Sequence, residues 1–211
     1  DEAWMLMNQA LDIAIQIDSK KQIVACHKQL YYLCREFKRM MNERGDEQAS
    51  TLFFRESLLH EMYFSEKPRL AELTVRYEAL RCDIMQQYYM NKDYDNVIRI
   101  ATSLDFHDDT DPNASCLVYY YKAQAYVKLE NYPMAKEAFF REFELRKKYL
   151  GWEEEDTILA CQNLGVLHSF CNEREEALAC FREAYGHEVK KNGEDSEMAQ
   201  KLLQYISVVE S

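Results

Sequence analysis

The chain has 211 residues, 47% hydrophobic and 30% charged, with only five glycines and three prolines. That length can bury a sizeable core, and so few turn residues argue for long helices joined by short loops. The formal charge of −11 disfavours non-specific binding to nucleic acid or to an anionic membrane, since both need a basic face. There is no run of eighteen apolar residues and no positively charged leader with an apolar h-region, so neither a membrane span nor a targeting segment is read from it. Seven cysteines, at 26, 34, 82, 116, 161, 171 and 180, are odd in number and scattered. They do not resemble a disulfide framework, and a reducing, cytoplasmic setting is expected.

In chain order, residues 3–18, "AWMLMNQALDIAIQID", read as an amphipathic helix with Met7, Ala10, Leu11, Ala14 and Ile17 on one stripe. It opens without a capping signal, so a partner helix is expected upstream of residue 1. Residues 20–44 form a long helical stretch ended by Gly45, and the returning helix at 46–65 offers Leu52, Phe53, Leu59, Met62 and Tyr63 as buried positions. Pro68 is placed to open the next helix, which runs to about Asn91 before "KDYDNVIRIATSL" returns. The longest polar break is "DFHDDTDPN" at 105–113.

The second half carries an internal echo. Ala135, Phe139 and Gly151 recur as Ala177, Phe181 and Gly193, each forty-two residues on, and both segments read as a pair of helices with a tight connection. A fixed period of this size predicts stacked helical hairpins, because one hairpin cannot bury its apolar face alone. A single helical-repeat domain over 1–211 is therefore expected. It comprises a partial repeat at 1–18, degenerate hairpins at 20–66 and 67–104, clear repeats at 113–151 and 155–193, and a capping helix at 195–209.

Residues 117–193 resemble tetratricopeptide repeats (TPRs) of the 42-residue variety found in kinesin light chains. In one hairpin Ala123, Tyr126, Tyr132, Ala135 and Phe139 fall on the signature positions. In the next, Asn163-Leu164-Gly165, His168, Ala177, Phe181 and Ala184 do so. Leu150-Gly151 followed by Asp156-Thr157 is similar to the "LGxxxxDT" linker of that family. Glu142 and His168 depart from the pattern, standing where the family usually has alanine and tyrosine. The resemblance implies an all-α fold, a right-handed superhelical solenoid of antiparallel hairpins. Small residues at 123, 135, 165, 177 and 184 would let helices approach, and aromatics at 126, 139 and 181 would fill the space between turns. Asp156 is expected to cap the helix that follows.

The resemblance also implies a functional surface, the concave face lined by the first helix of each hairpin. There it places Cys82, Asp83, Gln86 and Tyr89, then Tyr120, Tyr121, Gln124 and Lys128, then Gln162, Asn163, Val166 and Phe170. Asn163 matches a groove asparagine able to bond the main chain of an extended peptide, with Tyr120, Tyr121 and Phe170 flanking its side chains. The expected function is a non-enzymatic protein–protein interaction module, binding a protein or peptide and neither nucleic acid nor membrane. The alternative is a sensor or regulatory segment of a larger signalling protein, supported by the similarity of "ALDIAIQIDSKKQIVACHKQL" to connections in bacterial regulatory repeat proteins.

Nothing in the sequence points to catalysis or to a cofactor. It has no GxSxG, phosphate-binding glycine loop or dinucleotide fingerprint, and no HExxH, CxxC or histidine pair at metal spacing. "HDDTD" at 107–111 lacks the glycine and distal glutamate of a calcium loop and reads as a solvated acidic loop. Arg35, Lys38, Arg39 and Arg44 read as a solvated basic face, with an acidic-partner patch second. Trp152, beside Glu153, Glu154, Glu155 and Asp156, is either a partner anchor or packed on the next hairpin.

Overall fold

The computed structural model describes residues 2–64, 77–102 and 112–211, and among these every regular element is an α-helix. In chain order they are α1 (Glu2–Gln16), α2 (Lys20–Glu43), α3 (Glu47–Glu61), α4 (Tyr77–Met90) and α5 (Tyr94–Thr102), then α6 (Pro112–Lys128), α7 (Tyr132–Tyr149), α8 (Glu155–Phe170), α9 (Arg174–Asn192) and α10 (Glu197–Glu210). The expected opening of a helix at Pro68 and most of the polar break at 105–113, including His107 and the "HDDTD" run, lie outside the described residues.

The chain divides into two compact units, Asp1–Asn91 with Thr102–Leu104, and Lys92–Ala101 with Asp105–Ser211. In the first, α1 packs on α2, α2 on α3 and α3 on α4. The buried stripe of α1 is Asn8, Leu11 and Ala14, with Met7 half-buried, while Ala10 and Ile17 are exposed. Trp4 turns the helix this way: its ring meets Phe37 and Phe53 edge-on, at centroid distances of 5.9 and 6.4 Å. The largest side chain thus selects the face, because α1 has apolar residues on more than one side. On α3, Leu52 and Leu59 are buried as expected and Phe53 and Tyr63 half-buried, but Met62 is exposed because the helix ends at Glu61.

In the second unit consecutive helices from α6 to α10 pack on one another as antiparallel hairpins. Ala123, Ala135, Ala177 and Ala184 are fully buried, and with Phe139, Phe143, Ile158, Leu164, Phe181 and Leu202 they form one core. The alternation of small and large residues lets α7 and α9 lie close to their neighbours with aromatic rings filling the gaps. Tyr205 of α10 stacks on Phe181, at 5.1 Å, closing that end of the core.

The tight turns share one geometry. Asp18, Lys92, Glu130 and Asn172, each two residues before a helix begins, have φ between 50° and 60°. After such a residue the chain N–H bonds back five residues, as Asn131 does to Tyr126 and Glu173 to His168, both at 2.9 Å. These bonds satisfy carbonyls that a helix end leaves open. Asp46, Asn131 and Ser196 then cap α3, α7 and α10 through their side chains. Asp156 does not cap α8: the cap position is Glu154, which makes no side-chain bond, and Asp156 sits in the first turn with its carboxylate drawn to Arg146.

Candidate functional site

The second unit contains a cleft of about 400 Å³ between α6 and α8, floored by α7 and edged by Lys201 of α10. Its position follows from local sequence. α7 buries the stripe Ala135, Ala138, Phe139, Glu142, Phe143 and Arg146, and Glu142 falls on that stripe where an apolar or small residue would otherwise pack. Both charged groups are therefore carried inward with the apolar ones. Arg146 donates through Nε to Glu142 Oε1 at 2.8 Å and through Nη1 to Asp156 Oδ2 at 3.0 Å. The Asp156 side chain is largely exposed, and it ties the start of α8 to the end of α7.

Glu142 is only 2% exposed. Burial pushes its carboxyl up to about 7, outweighing the attraction and hydrogen bond of Arg146, which pull the other way. Arg146 is held above its ordinary range by Glu142 and Asp156 despite its own burial. Two side-chain oxygens lining the cleft, Glu142 Oε2 and Gln162 Oε1, are buried and make no hydrogen bond. A buried polar atom left in this state costs about 1–3 kcal/mol, a cost removed when a partner reaches it.

Of the residues expected on the concave face, Tyr120, Gln162 and Asn163 come together on this cleft, alongside Leu117, Leu159 and Ala160. Tyr121 stands against Tyr120 at 5.4 Å, edge-on. Val166 is half-buried against the core, and Lys128 and Phe170 are exposed at the far ends of α6 and α8, Phe170 at 72%. Gln124 and Tyr89 are half-buried. In the first unit Asp83 and Gln86 line a more open cleft of about 750 Å³ with Glu47, Gln48, Thr51 and Arg55, while Cys82 is buried.

Sequence reasoning missed Glu142, Arg146, Asp156 and Lys201 as lining. The signal was present, because an acid on an apolar stripe with arginine one turn on must carry its partner into the interior. Trp152 lies face to face on His187, 3.9 Å between centroids and 1° between planes, and meets Phe143 at 5.6 Å. It is packed on the next hairpin. Of the basic run on α2, Arg35 donates to the Tyr31 hydroxyl, Lys38 lies over Phe54, and Arg39 pairs with Glu36 and Glu43 on its own helix.

These hairpins define the chain as an all-helical protein of the helical-repeat class. No protein-family model matches it, and no curated protein does. The crystal structure of BtubC (BKLC) from P. vanneervenii is similar in fold, with a TM-score of 0.55 over 98% of this chain and 81% of that one, at 14% identity. No helix among the described residues is long and apolar enough to cross a membrane.

Proposed function

We propose that this chain is a non-enzymatic interaction module with 42-residue hairpins of the TPR type, holding an extended peptide segment in the α6–α8 cleft. The observation that carries the reading is the pair of buried side-chain oxygens without a hydrogen bond, Glu142 Oε2 and Gln162 Oε1, lining one cleft with the half-buried amide of Asn163. An extended segment presents main-chain N–H donors and C=O acceptors at regular intervals: an N–H satisfies Gln162 Oε1, while Glu142 Oε2 accepts from an N–H when ionised and donates to a C=O when it holds its proton. Tyr120 and Leu117 supply apolar surface for its side chains. Among the described residues the lining contains no serine, cysteine or histidine, which supports binding over nucleophilic chemistry.

The test is selection of peptides from a random display library on the intact chain, followed by calorimetry against Asn163→Ala and Gln162→Leu. Loss of one such bond in a partly dried cleft should weaken binding by roughly ten- to hundredfold, with melting curves unchanged for Asn163→Ala. Selected peptides that bind both folded variants as tightly as the original chain would overturn the reading.

A further inference from the structure

The first unit buries a different set of polar groups. Glu56 and His60 are one helical turn apart on α3, with Glu56 Oε1 3.7 Å from His60 Nε2. Cys34 of α2 faces them, and one donor atom from each of the three lies within 4.8 Å of the others. Cys34 and Glu56 are fully buried and His60 is 2% exposed. From these three residues we propose a structural transition-metal site, taking a divalent ion of the zinc class and tying α2 to α3.

The donor set argues for that ion. Thiolate, imidazole and carboxylate together suit a borderline metal, whereas calcium and magnesium take oxygen ligands. A thiolate and a carboxylate carry two negative charges, and a divalent ion cancels both, leaving a neutral cluster in a place where net charge is costly. Donors around a tetrahedral ion at 2.0–2.3 Å stand roughly 3.3–3.8 Å apart. The Glu56–His60 spacing of 3.7 Å falls there, and the 4.8 Å that bounds the three donors is about 1 Å beyond it.

The groups behind the ligands fit as well. His60 Nδ1 lies 2.9 Å from His27 Nδ1, so His60 can carry its proton on Nδ1, donate it to His27, and leave Nε2 unprotonated for a metal. His27 is fixed in turn by Tyr63, stacked on it at 3.7 Å and 10°. The Tyr88 hydroxyl donates to Glu56 Oε2 at 2.5 Å, leaving Oε1 on the side of His60. With three protein donors, the fourth position falls to water. The sequence signal was the ExxxH pair at 56 and 60 facing a helix whose His27 and Cys34 lie seven residues apart, two turns on one face.

The test uses the full chain, purified without metal-affinity resin, stripped with chelator and titrated with Co²⁺ and then Zn²⁺. The expected results are one ion per chain, a thiolate-to-cobalt charge-transfer band with the intense visible bands of four-coordinate cobalt, and a higher thermal midpoint with Zn²⁺. Cys34→Ser should lose the charge-transfer band and Cys171→Ser, in the other unit, should keep it. Tyr88→Phe should bind 10- to 100-fold more weakly, as loss of an outer-shell bond does. A folded wild-type chain with neither band nor Zn²⁺-dependent stabilisation would overturn the proposal. So would a band that survives in Cys34→Ser. If Cys34→Ser does not fold, the wild-type spectrum decides alone.

Discussion

Gly165 has no room for a side chain. A methyl group built on it would lie 2.8 Å from Cε1 of Phe181 and 3.0 Å from the Cys180 Cβ. Phe181 is 1% exposed and stacked under Tyr205, so its ring cannot turn aside. Alanine at this position gains about 1 kcal/mol of helix propensity but meets an overpacking cost of roughly 1–3 kcal/mol. We expect Gly165→Ala to lower the thermal midpoint by several degrees and Gly165→Val by more, measured by calorimetry. A midpoint that rises in Gly165→Ala would mean that α8 and α9 do not meet this closely. This contact was legible in the sequence, since a lone glycine within a helical stretch marks a place where a neighbouring helix packs closely. The stripe of α1 was less so: with apolar residues around much of the helix, periodicity does not select a face, and Trp4 does.

At the scale of the element, α7 carries a charge pair, Glu142 and Arg146, on its apolar stripe. The raised carboxyl of Glu142 means that the folded chain holds a proton there that the unfolded chain, titrating near 4.5, has already released. Its contribution to stability is therefore present in full below about 4.5 and is lost as pH rises towards 7. Glu142→Gln removes that dependence while keeping an acceptor for Arg146. The stability of the variant relative to wild type should improve with rising pH across this interval, by at most about 3 kcal/mol. Chemical denaturation of both chains at a series of pH values measures it. A difference that stays flat would show that Arg146 keeps the carboxylate ionised throughout. The helices themselves, and the caps at Asp46, Asn131 and Ser196, could be anticipated from periodicity and residue type. Whether Asp156 would cap α8 or pair with Arg146 could not, because the choice depends on a cation brought in by another helix.

For the whole molecule, hairpin stacking was legible because consecutive amphipathic helices with short connections must cover one another's apolar faces, whereas the site depends on side chains meeting across helices. The resemblance points to Tyr120, Gln162 and Asn163, which share the cleft, and also to Val166, half-buried against the core, and Phe170, exposed two turns beyond Asn163 on α8. Neither charge nor composition could locate the metal ligands, since Cys34 and His60 are drawn together by the packing of α2 on α3. Photo-crosslinking distinguishes a peptide lying in the α6–α8 cleft from one bound on another surface. A benzophenone amino acid placed at Leu117, exposed on the cleft wall, should crosslink a peptide selected on the intact chain. The same group at Phe140, exposed on α7 and outside the lining, should not. Crosslinking from position 140 but not from 117 would contradict the account and move the binding surface off the cleft.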